Sequence, residues 1–187
     1  KIRAFYPQSG KLKWVITDAH AESVTALAVT HTGSHLVSGG KDGRVRVWSI
    51  SGQSQVMVHS MKEHKRAVTS LALSADSEEA VSSGADGACI IWNLKRGIRS
   101  GALFASTLFR DVVYHPDESQ LLTCGSDRKI SYWDAADGNA IRIMEASTVE
   151  IRSLAIEPDG KYFVSGGADK VLKMWKYDEG TVFGEGS

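Results

Sequence analysis

Apolar and polar positions alternate along this chain in short runs, and turn-forming residues interrupt every run. "VTALAVT" (24–30) is followed by "HLVSGG" (35–40), "RVRVWSI" (44–50) and "SQVMVHS" (54–60). A period of two, filled by β-branched and aromatic residues and bounded by Gly, Asp, Asn and Ser, predicts strands. The same four-run order returns as "VTSLALS", "EAVSSG", "ACIIWNL" and "IRSGALFA", then as "LFRDVVY", "QLLTCG", "KISYWDA" and "NAIRIME". It returns a last time as "EIRSLAI", "KYFVSG", "KVLKMWKY" and a short "GTVFG". No stretch carries helical periodicity of any length. Short strands at this even spacing predict an all-β fold.

The third run of each set ends alike. "SGGKDGRVRVW" recurs as "SSGADGACIIW", "TCGSDRKISYW" and "SGGADKVLKMW". In each, an aspartate (Asp42, Asp86, Asp127, Asp169) lies six residues before a tryptophan (Trp48, Trp92, Trp133, Trp175). A hydroxyl residue (Ser38, Ser82, Thr123, Ser165) lies four before the aspartate. The tryptophans are 44, 41 and 42 residues apart, and Phe5 sits 43 before Trp48 as a degenerate earlier copy. This period selects a β-propeller of four-stranded antiparallel blades over a sandwich. The expected division is a leading half blade of two strands over 1–17, then blades over 18–60, 61–105, 106–145 and 146–187, all within one incomplete domain. The chain opens without Met inside the strand-like run "KIRAF". It therefore reads as part of a larger, seven-bladed ring, with bare faces that predict poor solubility or self-association of the piece alone.

The turns carry their own expectations. "HPDES" (115–119) and "EPDGK" (157–161) put Pro at the second position of a tight turn. Asp42-Gly43 and Asp86-Gly87 suit two-residue hairpin turns. Arg128 and Lys170 replace that glycine in the last two repeats, which predicts strain or another turn type there.

Composition narrows the function. Among 187 residues, 42% are hydrophobic and 24% charged, an ordinary globular balance. Lys+Arg and Asp+Glu number 22 each, so a nucleic-acid partner, which asks for a basic excess or stripe, is not expected. The basic cluster Lys62 to Arg66 is broken by Glu63 and reads as a solvated loop. Cys89 and Cys124 have no paired spacing, so no disulfide framework is expected, which suits a reducing compartment; each reads as a small core residue. No run approaches the ~18 apolar residues needed to span a bilayer, and no signal peptide is evident, which says little about a longer parent. Gly39-Gly40-Lys41 lacks the Ser or Thr and the following helix of a phosphate loop. His31 and His35 have a ligand-like spacing but fall in a turn, and read as surface polar residues. His59 and His115 receive no role. Neither metal nor cofactor is expected.

The His…Ser…Asp…Trp spacing resembles that of WD-repeat propellers over the whole chain. In that family a histidine ring links the turn aspartate to the strand serine, whose hydroxyl meets the tryptophan indole. The resemblance assigns this network to His20, Ser38, Asp42 and Trp48, and to His64, Ser82, Asp86 and Trp92. Ala105 and Ser147 stand at the histidine position of the other two repeats, so those blades are expected to be looser or held by packing alone. Ser, His and Asp also make up a nucleophilic triad. The set occurs twice with an identical span, and its serine lies in mid-strand, so a structural network is the better reading and no enzyme is expected. The resemblance further places the residue before each aspartate on a partner-binding edge: Lys41, Ala85, Ser126 and Ala168. Glu22, Arg66, Arg110 and Glu150 are expected beside them, a mixed surface suited to proteins rather than to a phosphate backbone.

A narrower resemblance rests on "DGACIIWNL", "TLFRDVVYHPDESQLLTCGSDRKISYWD" and "YDEGTVFG". These look like the C-terminal propeller of WD-repeat cilia- and flagella-associated proteins inside axonemal doublet microtubules. That resemblance implies a non-catalytic scaffold with tubulin and other axonemal proteins as partners, cytoskeletal, with no nucleic-acid or membrane partner. The alternative is the same fold in a soluble assembly such as a ubiquitin ligase or a signalling complex.

Overall fold

The computed structural model describes residues 1–52 and 54–186; Gln53, within the second expected unit, and Ser187, the end of the last, lie outside the described residues. Each set of runs folds into one antiparallel sheet in chain order. A two-stranded sheet holds β1 (Ile2–Phe5) and β2 (Leu12–Ile16). Four four-stranded sheets follow. The first holds β3 (Val24–Val29), β4 (His35–Gly40), β5 (Arg44–Ser49) and β6 (Val56–Lys62). The second holds β7 (Val68–Leu73), β8 (Glu79–Gly84), β9 (Ala88–Asn93) and β10 (Ile98–Phe104). The third holds β11 (Phe109–Tyr114), β12 (Gln120–Gly125), β13 (Lys129–Asp134) and β14 (Ala140–Glu145). The fourth holds β15 (Ile151–Ile156), β16 (Tyr162–Gly167), β17 (Leu172–Lys176) and β18 (Thr181–Gly186). The fold is all-β, built of propeller blades in an unclosed row. β6 begins later than the run "SQVMVHS" and reaches Lys62, because Arg44 at the start of β5 pairs with it. Lys62 is thus a strand residue, and the loop behind it holds a buried His64.

The period of two decides what each blade packs against. In β9, Ala88, Ile90 and Trp92 face the preceding blade, while Cys89 and Ile91 face the following one. Every interface core is closed by a tryptophan from the later blade. Trp48 packs with Ile2 and Ile16, Trp92 with Val37 and Val47, Trp133 with Val81 and Cys89, and Trp175 with Leu122 and Cys124. Both cysteines are free and buried, and burial pushes both thiols up, far from thiolate chemistry. Leu71 and Leu73 pack into the core that β7 shares with the blade before it, whereas Leu27 and Val29, at the same positions of β3, are exposed. Tyr162, Met174 and Phe183 leave a second exposed apolar face on the fourth sheet.

Two bulges recur. On each innermost strand one residue is inserted opposite its partner: Thr25, Thr69, Arg110 and Arg152. On each outermost strand another is inserted beside the tryptophan: Val58, Ser100, Ile141 and Phe183. β2 carries the same insertion at Lys13, beside Phe5, so Phe5 occupies a tryptophan position without an indole N–H.

Asp111 ties three blades together from β11. Its carboxylate accepts from Ser70 Oγ on β7 (2.6 Å), from Ser153 Oγ (3.2 Å) and the Leu154 amide (2.8 Å) on β15, and from the Val112 amide (3.0 Å).

The turns correct one expectation. Lys41-Asp42-Gly43 is a three-residue loop, closed by the Gly43 amide donating to the Gly40 carbonyl (3.2 Å), and only Gly43 is left-handed, at φ 72°. That is a tight turn followed by a left-handed residue, not a two-residue primed turn. Arg128 and Lys170 keep the same turn, at φ 66° and 63°. Of the two outcomes open in the sequence, strain is the one realised. Non-glycine residues in this region cost about 1 kcal/mol. Arg128→Gly and Lys170→Gly are each expected to stabilise the full-length protein by about 0.5–1 kcal/mol in chemical denaturation; a loss of stability from both would contradict the strain.

Candidate functional site

Two sets of residues meet at the same edge of the blades: a buried polar network and the loops above it. In the first complete blade, Trp48 Nε1–H donates to Ser38 Oγ (2.9 Å), and Ser38 Oγ lies 2.8 Å from His20 Nε2. His20 Nδ1 lies 2.9 Å from Asp42 Oδ1. The carboxylate only accepts, so Nδ1 carries the proton, and Nε2 accepts the Ser38 hydroxyl proton. The second blade repeats this, with Trp92 to Ser82 at 2.8 Å, Ser82 to His64 at 2.8 Å, and His64 to Asp86 at 3.1 Å. Gly40 and Gly84 are glycines because any Cβ there would collide with the imidazole and carboxylate lying over them.

This is the connectivity of a catalytic triad, yet Ser38 and Ser82 are both 0% exposed, and each hydroxyl already receives an indole N–H. A substrate carbonyl has no route to either oxygen. Burial holds the His20 imidazole below its ordinary value of 6.5, against the raising influence of Asp42. Burial alone would push the Asp42 carboxyl up, but hydrogen bonds from His20 and from the Arg44 and Ala21 amides outweigh it and hold it below the usual range.

The other two blades differ in the way they close. Trp133 Nε1–H donates to Thr123 Oγ1 (2.7 Å) and Trp175 Nε1–H to Ser165 Oγ (2.9 Å), so the inner half of the network stays. Packing alone is not what holds the rest. Ser147 Oγ donates to Asp169 (3.0 Å) from the histidine position. In the third blade, Thr107 Oγ1 accepts the Asp127 amide (3.2 Å) and Ser126 Oγ accepts the Leu108 amide (2.9 Å), beside an Ala105 that contributes no side-chain bond. All four aspartates accept the amide two residues ahead, so each serves its turn whether or not a histidine is present.

The eight edge residues do not form one surface. Lys41, Ala85, Arg110 and Glu150 line a central depression of about 480 Å³, together with Thr25, Thr69 and Arg152. Arg66, Ala85 and Ser126 line a neighbouring one of similar size with Lys65. Glu22 and Ala168 line neither. Arg110 and Glu150 are not the counterparts of Glu22 and Arg66. Arg110 is the bulge residue of β11, and Glu150 stands where Ser23 and Ala67 do, since each of these carbonyls accepts the amide of the residue before an aspartate. Glu150 binds Arg110 through Nη2 (2.7 Å) and Nε (3.0 Å) and binds Arg152 Nε (2.9 Å). The Arg152 and Arg110 hydrogen bonds hold its carboxyl below the usual range.

Thr25, Thr69 and Arg152 carry no signal in the sequence; their common position, two before Leu27, Leu71 and Leu154 as Arg110 is two before Val112, is visible only once the bulges align the inner strands. The two depressions also gather Lys41, Lys65, Arg66, Arg110 and Arg152 against Asp86 and Glu150. Within these two depressions basic side chains outnumber acidic ones, a local excess that the zero net charge of the chain does not reveal. His35 Nδ1 meets Ser34 Oγ (2.9 Å) and His31 contributes its amide to Ser77 Oγ (3.0 Å). Of the two histidines left without a role, His59 sits over Gly97 and meets the Lys95 carbonyl (3.2 Å), and His115 packs on Tyr177 (4.3 Å between rings).

The WD domain, G-beta repeat profile matches residues 10–49, 55–93, 104–134 and 138–176, and the chain belongs to that family. It is 52% identical over 184 residues to "Cilia- and flagella-associated protein 52" of Chlamydomonas reinhardtii, covering 98% of this chain and 30% of that protein. It is 45% identical over 183 residues to the human protein of the same name, covering 97% and 30%. Human "Striatin-4" is 26% identical over 178 residues, covering 91% and 24%. The chain thus spans under a third of the length of these relatives.

His20→Ala leaves buried partners unpaired and is expected to cost about 1–3 kcal/mol in the full-length protein, and Ser147→Ala about 1 kcal/mol or less. Equal costs in denaturant titrations would contradict this ranking. A lowered histidine pKa gives stability that is complete above pH 6.5 and lost as pH falls through the folded value. His20→Gln should therefore flatten the decline in stability just below pH 6.5; an unchanged slope would show that His20 is not its source.

Proposed function

We propose that this chain is part of a non-catalytic protein-interaction scaffold of cilia and flagella, one that lines the inner wall of axonemal doublet microtubules. The observation that carries the reading is the 52% identity, across nearly the whole chain, to a relative named as cilia- and flagella-associated. The blade architecture supports a scaffold: its polar network is buried for structure, and its loop edge is left to partners. The basic excess lining the two depressions suits an acidic segment of a protein partner. Tubulin and neighbouring axonemal proteins are the partners proposed, and the cytoskeleton of the cilium is the proposed location. Charges at such a rim act mainly on encounter rate and orientation.

The test is fractionation of a flagellate expressing the tagged full-length protein. The protein should remain with doublet microtubules through high-salt extraction. Lys41→Glu with Arg66→Glu should release part of it at lower salt while changing stability by no more than ~0.5 kcal/mol, as surface changes usually do. Recovery of the parental protein in the soluble fraction would overturn the reading in favour of a soluble assembly.

A further inference from the structure

Three of the blade interfaces join complete blades, and two of these can be compared position by position. Between the third and fourth sheets, the space beside the outer strands is filled by rings. Tyr177 packs on His115 (4.3 Å) and on Tyr132 (4.9 Å), Arg142 covers Tyr132 (5.2 Å), and Tyr177 Oη donates to Gln120 Oε1 (2.8 Å). Between the first and second sheets the same positions hold smaller groups. Leu94 stands two residues after Trp92, as Tyr177 does after Trp175. Val47 precedes Trp48 as Tyr132 precedes Trp133, and His59 faces Val47 across the sheet as Arg142 faces Tyr132. Thr30 replaces His115 after the inner strand. The result is a partly enclosed recess of about 290 Å³ with an apolar floor.

One polar feature of the filled site persists. His35 opens β4 as Gln120 opens β12, and it lines the recess. Its Nδ1 is taken by Ser34 Oγ, while Nε2 makes no hydrogen bond among the described residues. The recess therefore keeps a hydrogen-bonding group where Tyr177's phenol is held in the other interface, and lacks the ring. Glu78 and Lys95 also line it with opposite charges, so neither sign of ligand is favoured and the ring is left as the recognition element.

We propose that this recess is a docking site for a tyrosine side chain of a partner polypeptide, its ring on Val47 and Leu94 and its hydroxyl on His35. The site lies between two complete blades and is independent of which assembly the protein serves. Aromatic anchors seated in such pockets commonly dominate a protein interface.

The test uses N-acetyl-tyrosine amide and N-acetyl-phenylalanine amide as probes, titrated into the full-length protein and followed by saturation-transfer NMR. Saturable binding of the tyrosine amide is expected, at the roughly millimolar level of so small a ligand. His35→Leu should weaken the tyrosine amide about 3- to 10-fold, the worth of one hydrogen bond, and leave the phenylalanine amide unchanged. Leu94→Tyr should fill the recess from within and abolish both. If that variant does not fold, Val58→Phe on the exposed wall makes the same test. Absence of saturable binding, equal weakening of both probes by His35→Leu, or full binding in a folded Leu94→Tyr protein would each overturn the proposal.

Discussion

The indole N–H of Trp48, Trp92, Trp133 and Trp175, each donated to a hydroxyl buried in the neighbouring strand, is the contact on which the four blades depend. It spans 2.7–2.9 Å in every one of them. An indole has a large apolar body and one polar atom that must be satisfied when buried. Pinning that atom to Ser38, Ser82, Thr123 or Ser165 fixes where the ring points, which is into the blade before it. The interface core then assembles around a ring already aimed. Histidine adds a second tie in two blades, and hydroxyl groups of Ser147, Thr107 and Ser126 supply other polar bonds in the remaining two, so the histidine is an elaboration of the tryptophan–hydroxyl pair.

The same chemistry explains how an arrangement with triad connectivity reads as architecture. In Trp48–Ser38–His20–Asp42 every donor and acceptor is spent on a neighbour, and the serine oxygen is closed to solvent. A nucleophile needs the opposite: a lone pair facing open space and a nearby donor for the charge that develops. Residue types and order are shared between the two cases, and burial separates them.

Much of this was legible along the chain because it is periodic. Strands with a period of two inside a repeat of 41–44 residues announce four-stranded blades, and the resemblance of the His–Ser–Asp–Trp spacing to WD-repeat propellers implies which side chains meet. What was hidden depends on pairing. Arg152, and the bulge position of an Arg110 otherwise expected at this edge, come from one residue inserted in each inner strand, and an insertion shows only against its partner. Lys41 comes from the turn after β4, and Lys65 and Arg66 from the loop before β7, so their approach to Arg110 and Arg152 vanishes in a net charge of zero. The turn around Asp42-Gly43 is one residue longer than the sequence suggests, since the pair Asp-Gly is compatible with two loop lengths and only the absence of a left-handed φ at Asp42 distinguishes them. The Ser147–Asp169 bond needed the knowledge that the loop comes close enough for a hydroxyl to do part of an imidazole's work.

Asp111 has a consequence for how the blades come apart. Repeat arrays commonly behave as chains of nearest-neighbour couplings, in which each interface opens on its own account. Here a single carboxylate serves two interfaces at once, with one oxygen on Ser70 and the other on Ser153 and the Leu154 amide. Opening either side strands part of a charge that the other side still holds. The inner strands of three consecutive blades thus share one opening event, and their amides would exchange with solvent as a single slow unit while outer strands fray separately. The centre of the propeller is in this sense less modular than its sequence.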